Sequence, residues 1–173
     1  MGISTSTAHI PRENVNAEYE LEKMIAAHGD GLLRYCHSIL LDYHEAQDVV
    51  QSTFIKAYKK IAAKNTEEIH GAWLYKIAYT ACIDIFRRKK LLNLFIQQNE
   101  TKEATTPEYF ISENVRSILS QLPPKDRALV FSRAIDGLDY KELVAVYGTN
   151  AATLRKRYER AKNKLAKTLE GWR

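Results

Sequence analysis

The sequence predicts an all-α protein of two small helical domains joined by a flexible linker, the second domain holding a helix-turn-helix. Three observations carry that prediction. Glycine and proline are scarce, at seven and four in 173 residues, which favours long helices over a loop-rich or strand-rich chain. Apolar residues recur at helical period along most of the length, and no alternating strand pattern of useful length is present. The polar stretch "QQNETKEATTPE", 97–108, holds no aliphatic residue larger than alanine and reads as the linker between domains at 17–96 and 109–173.

The elements follow in order. Residues 1–16 match no interpretable pattern. Residues 17–41 read as two short helices broken at "HGDG", where Gly29 and Gly31 interrupt the pattern. "YHEAQDVVQSTFIKAYKKIAAK" places apolar side chains at 46, 49/50, 53/54, 57/58 and 61, one face of a helix. The polar connection "KNTEEIH", 64–70, leads to "HGAWLYKIAYTACIDIFRRKK", with a cleaner stripe at 74, 77, 78, 81, 82 and 85. After the linker, helical pattern resumes near Tyr109 and runs to Gln121. Pro124 stands well at the first position of the next helix, where its missing N–H costs nothing. Gly137 stops that helix. Asp139 and Glu142 are spaced as a capping box for another, which reaches Tyr147. A turn at Gly148-Thr149-Asn150 precedes a last helix with Leu154, Tyr158, Ala161, Leu165 and Leu169 on one face.

Charge narrows the function. The net +5 is uneven: residues 1–113 hold 13 Lys/Arg against 15 Asp/Glu, and residues 114–173 hold 13 against 6. The C-terminal third therefore suits a polyanion. No apolar run approaches the roughly 20 residues of a membrane span, and the N-terminus lacks a secretory signal. Gly2 and Ser6 fit the short N-myristoylation pattern only superficially. Cys36 and Cys82 lie in apolar helical contexts and read as buried thiols in a reducing compartment. Cys36, His37 and His44 do not form a metal-ligand pattern. No phosphate loop or nucleophile motif is present, so no enzyme activity, catalytic residue, metal or cofactor is expected.

A helix, a short glycine turn and a basic helix make a helix-turn-helix, whose second helix enters the major groove. With the apolar stripe facing the core, Thr153, Lys156, Arg157 and Arg160 point away from it, flanked by Arg155 and Glu159. Arginine can hold a guanine edge in bidentate fashion, and glutamate can accept from cytosine. Lys162, Lys164 and Lys167 lie too far along to reach base edges easily and suit general phosphate attraction or solvation. "FRRKK", ending at Lys90, also suits the negative end of its own helix.

Two stretches carry a family likeness. "LPPKDRALVFSRAIDGLDYKELVAVYGTNAATLRKRYERAKNKL" resembles the C-terminal promoter-binding domain of bacterial extracytoplasmic-function sigma factors. "HEAQDVVQSTFIKAYKK" followed by "AWLYKIAYTACIDIFRRKK" resembles their N-terminal domain. The resemblance covers roughly residues 17–170 in the right order. It implies a cytoplasmic, dissociable subunit of RNA polymerase that directs the core enzyme to promoters and helps to open the duplex. It implies as partners the core polymerase, through its β′ clamp helices and β flap, promoter DNA and an anti-sigma factor, with no membrane contact of its own.

By that resemblance Asp48, Gln51 and Ser52 take polymerase-docking positions, although many members have glutamate at the place of Ser52. The loop at 62–71, with Lys64, Asn65, Thr66 and His70, matches the segment that captures a flipped base of the −10 element. Lys76, Arg87 and Arg88 lie on or near the helix that meets this DNA. Trp73 is open to two readings, a wedge at the melted edge or a core residue beside Leu74 and Ile77. Arg155, Lys156, Glu159 and Arg160 match base-facing positions for the −35 element, and Thr153 and Arg157 match phosphate-facing ones. Thr80, Ala152 and Lys156 replace the family's usual Asn, Gly and Ser. The competing readings are a helix-turn-helix regulator that binds an operator without polymerase, and a helical adaptor that binds protein only.

Overall fold

The computed structural model describes residues 12–64, 69–95 and 112–170. These form seven helices: α1 (Arg12–Leu40), α2 (Tyr43–Ala62), α3 (Gly71–Phe95), α4 (Glu113–Ser120), α5 (Pro124–Ala134), α6 (Tyr140–Tyr147) and α7 (Ala151–Glu170). No strand is present among the described residues.

Helices α1, α2 and α3 pack around Leu32, Tyr35, Cys36 and Ile39 from the first, Ala46, Val49, Phe54 and Ala57 from the second, and Leu74, Ala78 and Cys82 from the third. The spacing of three and four is the pattern by which the sequence placed α2 and α3. Both cysteines are free and buried. Asp42 starts α2, accepting from the Glu45 N–H at 2.9 Å. Buried Thr53 satisfies its hydroxyl within its own helix, donating to the Val49 carbonyl at 2.8 Å.

The expected break at Gly29 and Gly31 does not occur, because α1 runs unbroken through both. The reason for Gly31 is packing. A Cβ there would stand 3.0 Å from the Tyr75 hydroxyl of α3, so the missing side chain is what lets that phenol approach α1. The helical ladder absorbs a glycine at a cost of roughly 1 kcal/mol, which tertiary contacts outweigh.

The C-terminal unit is smaller. Ser112 caps α4, accepting from Val115 N–H at 3.4 Å, and residues 109–111, where the sequence expected this helix to start, lie outside the described residues together with the linker 97–108. Pro124 takes the first turn of α5. Asp139 and Glu142 form the full capping box of α6, and Gly148 ends that helix in the left-handed region at φ 62°. Asn150 accepts from the Thr153 N–H at 2.9 Å, so the turn into α7 is set by one side chain. Leu129, Leu143 and Leu154 make this unit's own buried cluster. Leu169, expected on the core face of the last helix, is half exposed at 50%, since α7 runs past the helices it packs on.

The two units pack together. Ala128 and Phe131 of α5 are buried within the N-terminal core. The Tyr147 hydroxyl lies 3.0 Å from that of Tyr35 and 2.8 Å from Ser132 Oγ, and its ring meets Tyr79 edge-on at 4.7 Å. Arg127 is buried, donating to the carbonyls of Leu122 at 2.9 Å and Ile39 at 2.5 Å, with its guanidinium 5.6 Å from the Phe86 ring. Burial lowers its pKa to about 10, so it stays charged at neutral pH.

Candidate nucleic-acid interface

On α7 the core side is Leu154 and Ala161, with Tyr158 half-buried beside them. Thr153, Arg155, Lys156, Glu159 and Arg160 are all exposed. The basic face that the helical period separates from the core is therefore present as a surface. Its side chains are not equally free. Arg155 lies over the Tyr140 ring, 4.8 Å from its centroid. Glu159 is paired with Lys162 at 2.8 Å. Lys156 and Arg160 have no ion-pair partner among the described residues.

Arg157, expected to face phosphate, has a partner within the protein. It donates to Asp126 Oδ1 through Nε at 3.1 Å and Nη2 at 2.6 Å, and both side chains are largely covered. The carboxylate stands in the first turn of α5, where the helix dipole also favours it. Arg157 thus ties α7 to α5. Its pairing was invisible from local sequence because the acid is 31 residues away.

The second expected surface centres on α3. Lys76, Thr80, Arg87 and Arg88 are exposed. Eleven residues are close to three turns, so Lys76 and Arg87 share a side. Arg87 is paired with Asp84 at 3.2 Å, a solvent-exposed contact of little energetic weight. His70 carries a role that the sequence reading missed: its Nδ1 accepts from the Trp73 N–H at 3.2 Å, helping to cap α3. Trp73 is half-buried against the N-terminal core, with Lys60 Nζ 5.5 Å from its ring. Lys64 stands at φ 58° just past α2, and Asn65 and Thr66 lie outside the described residues.

The third surface is on α2. Asp48 and Gln51 are exposed, whereas Ser52 is partly covered and donates to the Val49 carbonyl at 2.9 Å. One turn further Ile55 is 50% exposed on the same stripe, an apolar residue among polar ones that the core-seeking period passed over. No group of three or more His, Cys, Asp or Glu among the described residues could hold a metal ion. No helix among them is long and apolar enough to cross a membrane.

Comparison with known proteins finds both halves in one order. Residues 24–91 match the family Sigma-70 region 2, and residues 112–165 match Sigma-70, region 4. The chain is 30% identical to the ECF RNA polymerase sigma-E factor of Salmonella typhimurium, across 68% of this chain and 70% of that one. It is 25% identical to the ECF RNA polymerase sigma factor SigW of Bacillus subtilis, across 81% and 83%. The match to the ECF RNA polymerase sigma factor SigE of Mycolicibacterium smegmatis, at 26% identity, takes 83% of this chain but spans only 59% of that relative. Among solved structures, CnrH in complex with the cytosolic domain of CnrY is similar at a TM-score of 0.66 and 25% identity, covering 92% of this chain and 96% of that one. The sigma factor RpoE of Bartonella quintana, in complex with the anti-sigma factor NepR, shares the fold at a TM-score of 0.70 and 22% identity, covering 90% and 97%.

Proposed function

The chain belongs to the extracytoplasmic-function family of RNA polymerase sigma factors, and from that premise we propose that it directs core polymerase to a specific set of promoters and assists their opening. The observation that carries this reading is the exposed basic face of α7, set by a capped helix-turn-helix on the same chain as a region 2 unit. Arg155, Lys156, Glu159 and Arg160 read base edges of the −35 element, and Thr153 meets the backbone. Arg157 acts through Asp126, fixing the angle of α7 on α5.

Lys76, Arg87 and Arg88 serve the −10 element, together with Lys64, Asn65, Thr66 and His70 of the connecting segment. Trp73 supports that surface from the core side. Asp48 and Gln51 dock on the β′ clamp helices. Ser52, turned to its own helix, adds less to this contact, and the β flap takes the C-terminal unit. The chain binds and positions, with no chemistry of its own, and acts in the cytoplasm beside the polymerase. RpoE of Bartonella quintana is bound by the anti-sigma factor NepR, and CnrH by the cytosolic domain of CnrY, which together support an anti-sigma factor as a further partner here.

The packing of α5 and α6 onto α1 and α3 also bears on the free protein. It holds the two DNA-facing surfaces on one body, so they cannot separate to follow two elements along a duplex. Weak binding of free protein and tight, sequence-specific binding by the holoenzyme follow. Run-off transcription with purified core polymerase on genomic templates, with start sites sequenced, tests the reading. Promoter-dependent transcripts are expected. Arg155→Ala and Arg160→Ala should each cost about 1–3 kcal/mol of promoter binding and relax base preference locally. Absence of any promoter-dependent transcript sinks the reading.

A further inference from the structure

We propose that Tyr140 is a positioning residue for promoter recognition, its ring holding the Arg155 guanidinium at the recognition surface. This rests on the reading of Arg155 as a base contact. A free arginine side chain samples many rotamers, yet a bidentate grip on a guanine edge needs its fork in one place. Arg155 is the proposed reader that lies on a ring, 4.8 Å from the centroid.

The ring itself is fixed from three directions. Tyr140 is the first residue of α6 and lies inside the capping box of Asp139 and Glu142, whose two hydrogen bonds measure 2.8 and 2.7 Å. Its side chain packs on the cluster of Leu129, Leu143 and Leu154. Arg133 of α5 stands 5.4 Å from the same ring and donates to the Leu138 carbonyl at 3.3 Å, bracing the turn that leads into α6.

The chemistry of the support matters. Glu159 shows the other way to hold a charged reader, an ion pair with Lys162. An ion pair neutralises the charge that DNA must meet and has to be broken or shared on binding. A ring quadrupole orients the guanidinium and leaves its positive charge and its N–H donors available. No carboxylate pairs with Arg155 among the described residues. The geometry pre-sets a reader without spending its charge.

The test uses holoenzyme on a promoter library randomised across the −35 element, comparing wild type with Tyr140→Leu, Tyr140→Phe, Arg155→Ala, Arg133→Gln and the Tyr140→Leu/Arg155→Ala double variant. Tyr140→Leu should lower discrimination about twofold to fivefold, the range of an exposed cation–aromatic contact, and only at the base position that Arg155→Ala relaxes. Tyr140→Phe should keep most of it, Arg133→Gln should lose less at that same position, and the double variant should match Arg155→Ala. An equal loss at every position overturns the proposal, since the ring would then touch the backbone or merely support the fold. No change in Tyr140→Leu, with Arg155→Ala still relaxed at one position, also overturns it. If Arg155→Ala relaxes nothing, the assignment of Arg155 as reader has failed, and the proposal with it. Should Tyr140→Leu fail to fold, Tyr140→Met, which also removes the ring, takes its place and is judged by the same criteria.

Discussion

The two units differ in how they close their cores. The N-terminal unit buries side chains from all three of its helices, including Leu32, Tyr35, Ile39, Val49, Phe54 and Leu74. The C-terminal unit has a cluster of Leu129, Leu143 and Leu154, with Leu119, Leu122, Val146 and Ala161 also buried, and sends Ala128 and Phe131 into its neighbour. A core that small supplies only a few kcal/mol. The proposed duplex-reading unit therefore leans on the other for part of its stability, so the seam between them is where substitutions should act most strongly.

Arg127 is the sharpest way to break that relation. Its guanidinium satisfies two backbone carbonyls, one in each unit, and lies on Phe86. Arg127→Ala leaves both acceptors buried and opens space under the ring. Equilibrium urea unfolding should show a loss of about 2–4 kcal/mol. A loss below about 1 kcal/mol would mean that the C-terminal unit stands on its own core.

Tyr147→Phe is gentler. It keeps the edge contact with Tyr79 but removes the hydroxyl that Tyr35 and Ser132 share. About 1–2 kcal/mol should be lost, because the two remaining hydroxyls stay buried with one partner fewer. Removing the second phenol as well should recover part of this. The Tyr35→Phe/Tyr147→Phe pair is expected to be less destabilised than the sum of its single variants in the same urea titrations. Strict additivity would show that the hydroxyls do not act as a unit.

What was legible in the sequence divides along the same line. Period and capping are local signals, and they located α2, α3, the α6 box at Asp139 and Glu142, and the exposed face of α7. The seam is a set of long-range pairings, and nothing local announces them. Arg127 meets Ile39 across 88 residues, and Arg157 meets Asp126 across 31, so neither pairing could be read from the local sequence. Gly31 was misread for a related reason. Locally it looks like a helix break, and only the position of Tyr75 on another helix explains it. Ile55 was passed over because helical period marks the buried stripe, and an exposed apolar residue off that stripe leaves no such mark.

The smallest expected effect separates core from seam by pH. His37 belongs to the N-terminal core, fully buried, with neither ring nitrogen hydrogen-bonded. Burial, and then Arg116 on α4, lower its pKa, against an opposing pull from Asp42. Its neutral form is the one that folds, so its contribution is complete above its unfolded value of about 6.5 and is lost as pH falls. Asp136 lies between α5 and α6, with Oδ2 buried and unpartnered. Burial raises its pKa to about 6, opposed by Arg34 of α1. Its contribution is complete below the unfolded carboxyl value near 4 and is lost as pH rises through about 6. Between pH 7 and 5 the two slopes therefore run in opposite directions and partly cancel in the wild type. Asp136→Asn should gain about 1 kcal/mol near pH 7.5, after allowance for solvent screening, and uncover a loss of stability on acidification. His37→Leu should uncover the reverse, a rise in stability as pH falls toward 5. Urea midpoints at four pH values distinguish these outcomes. Slopes of the same sign in both variants would show that the seam carboxylate and the core imidazole are not the groups that set the pH response.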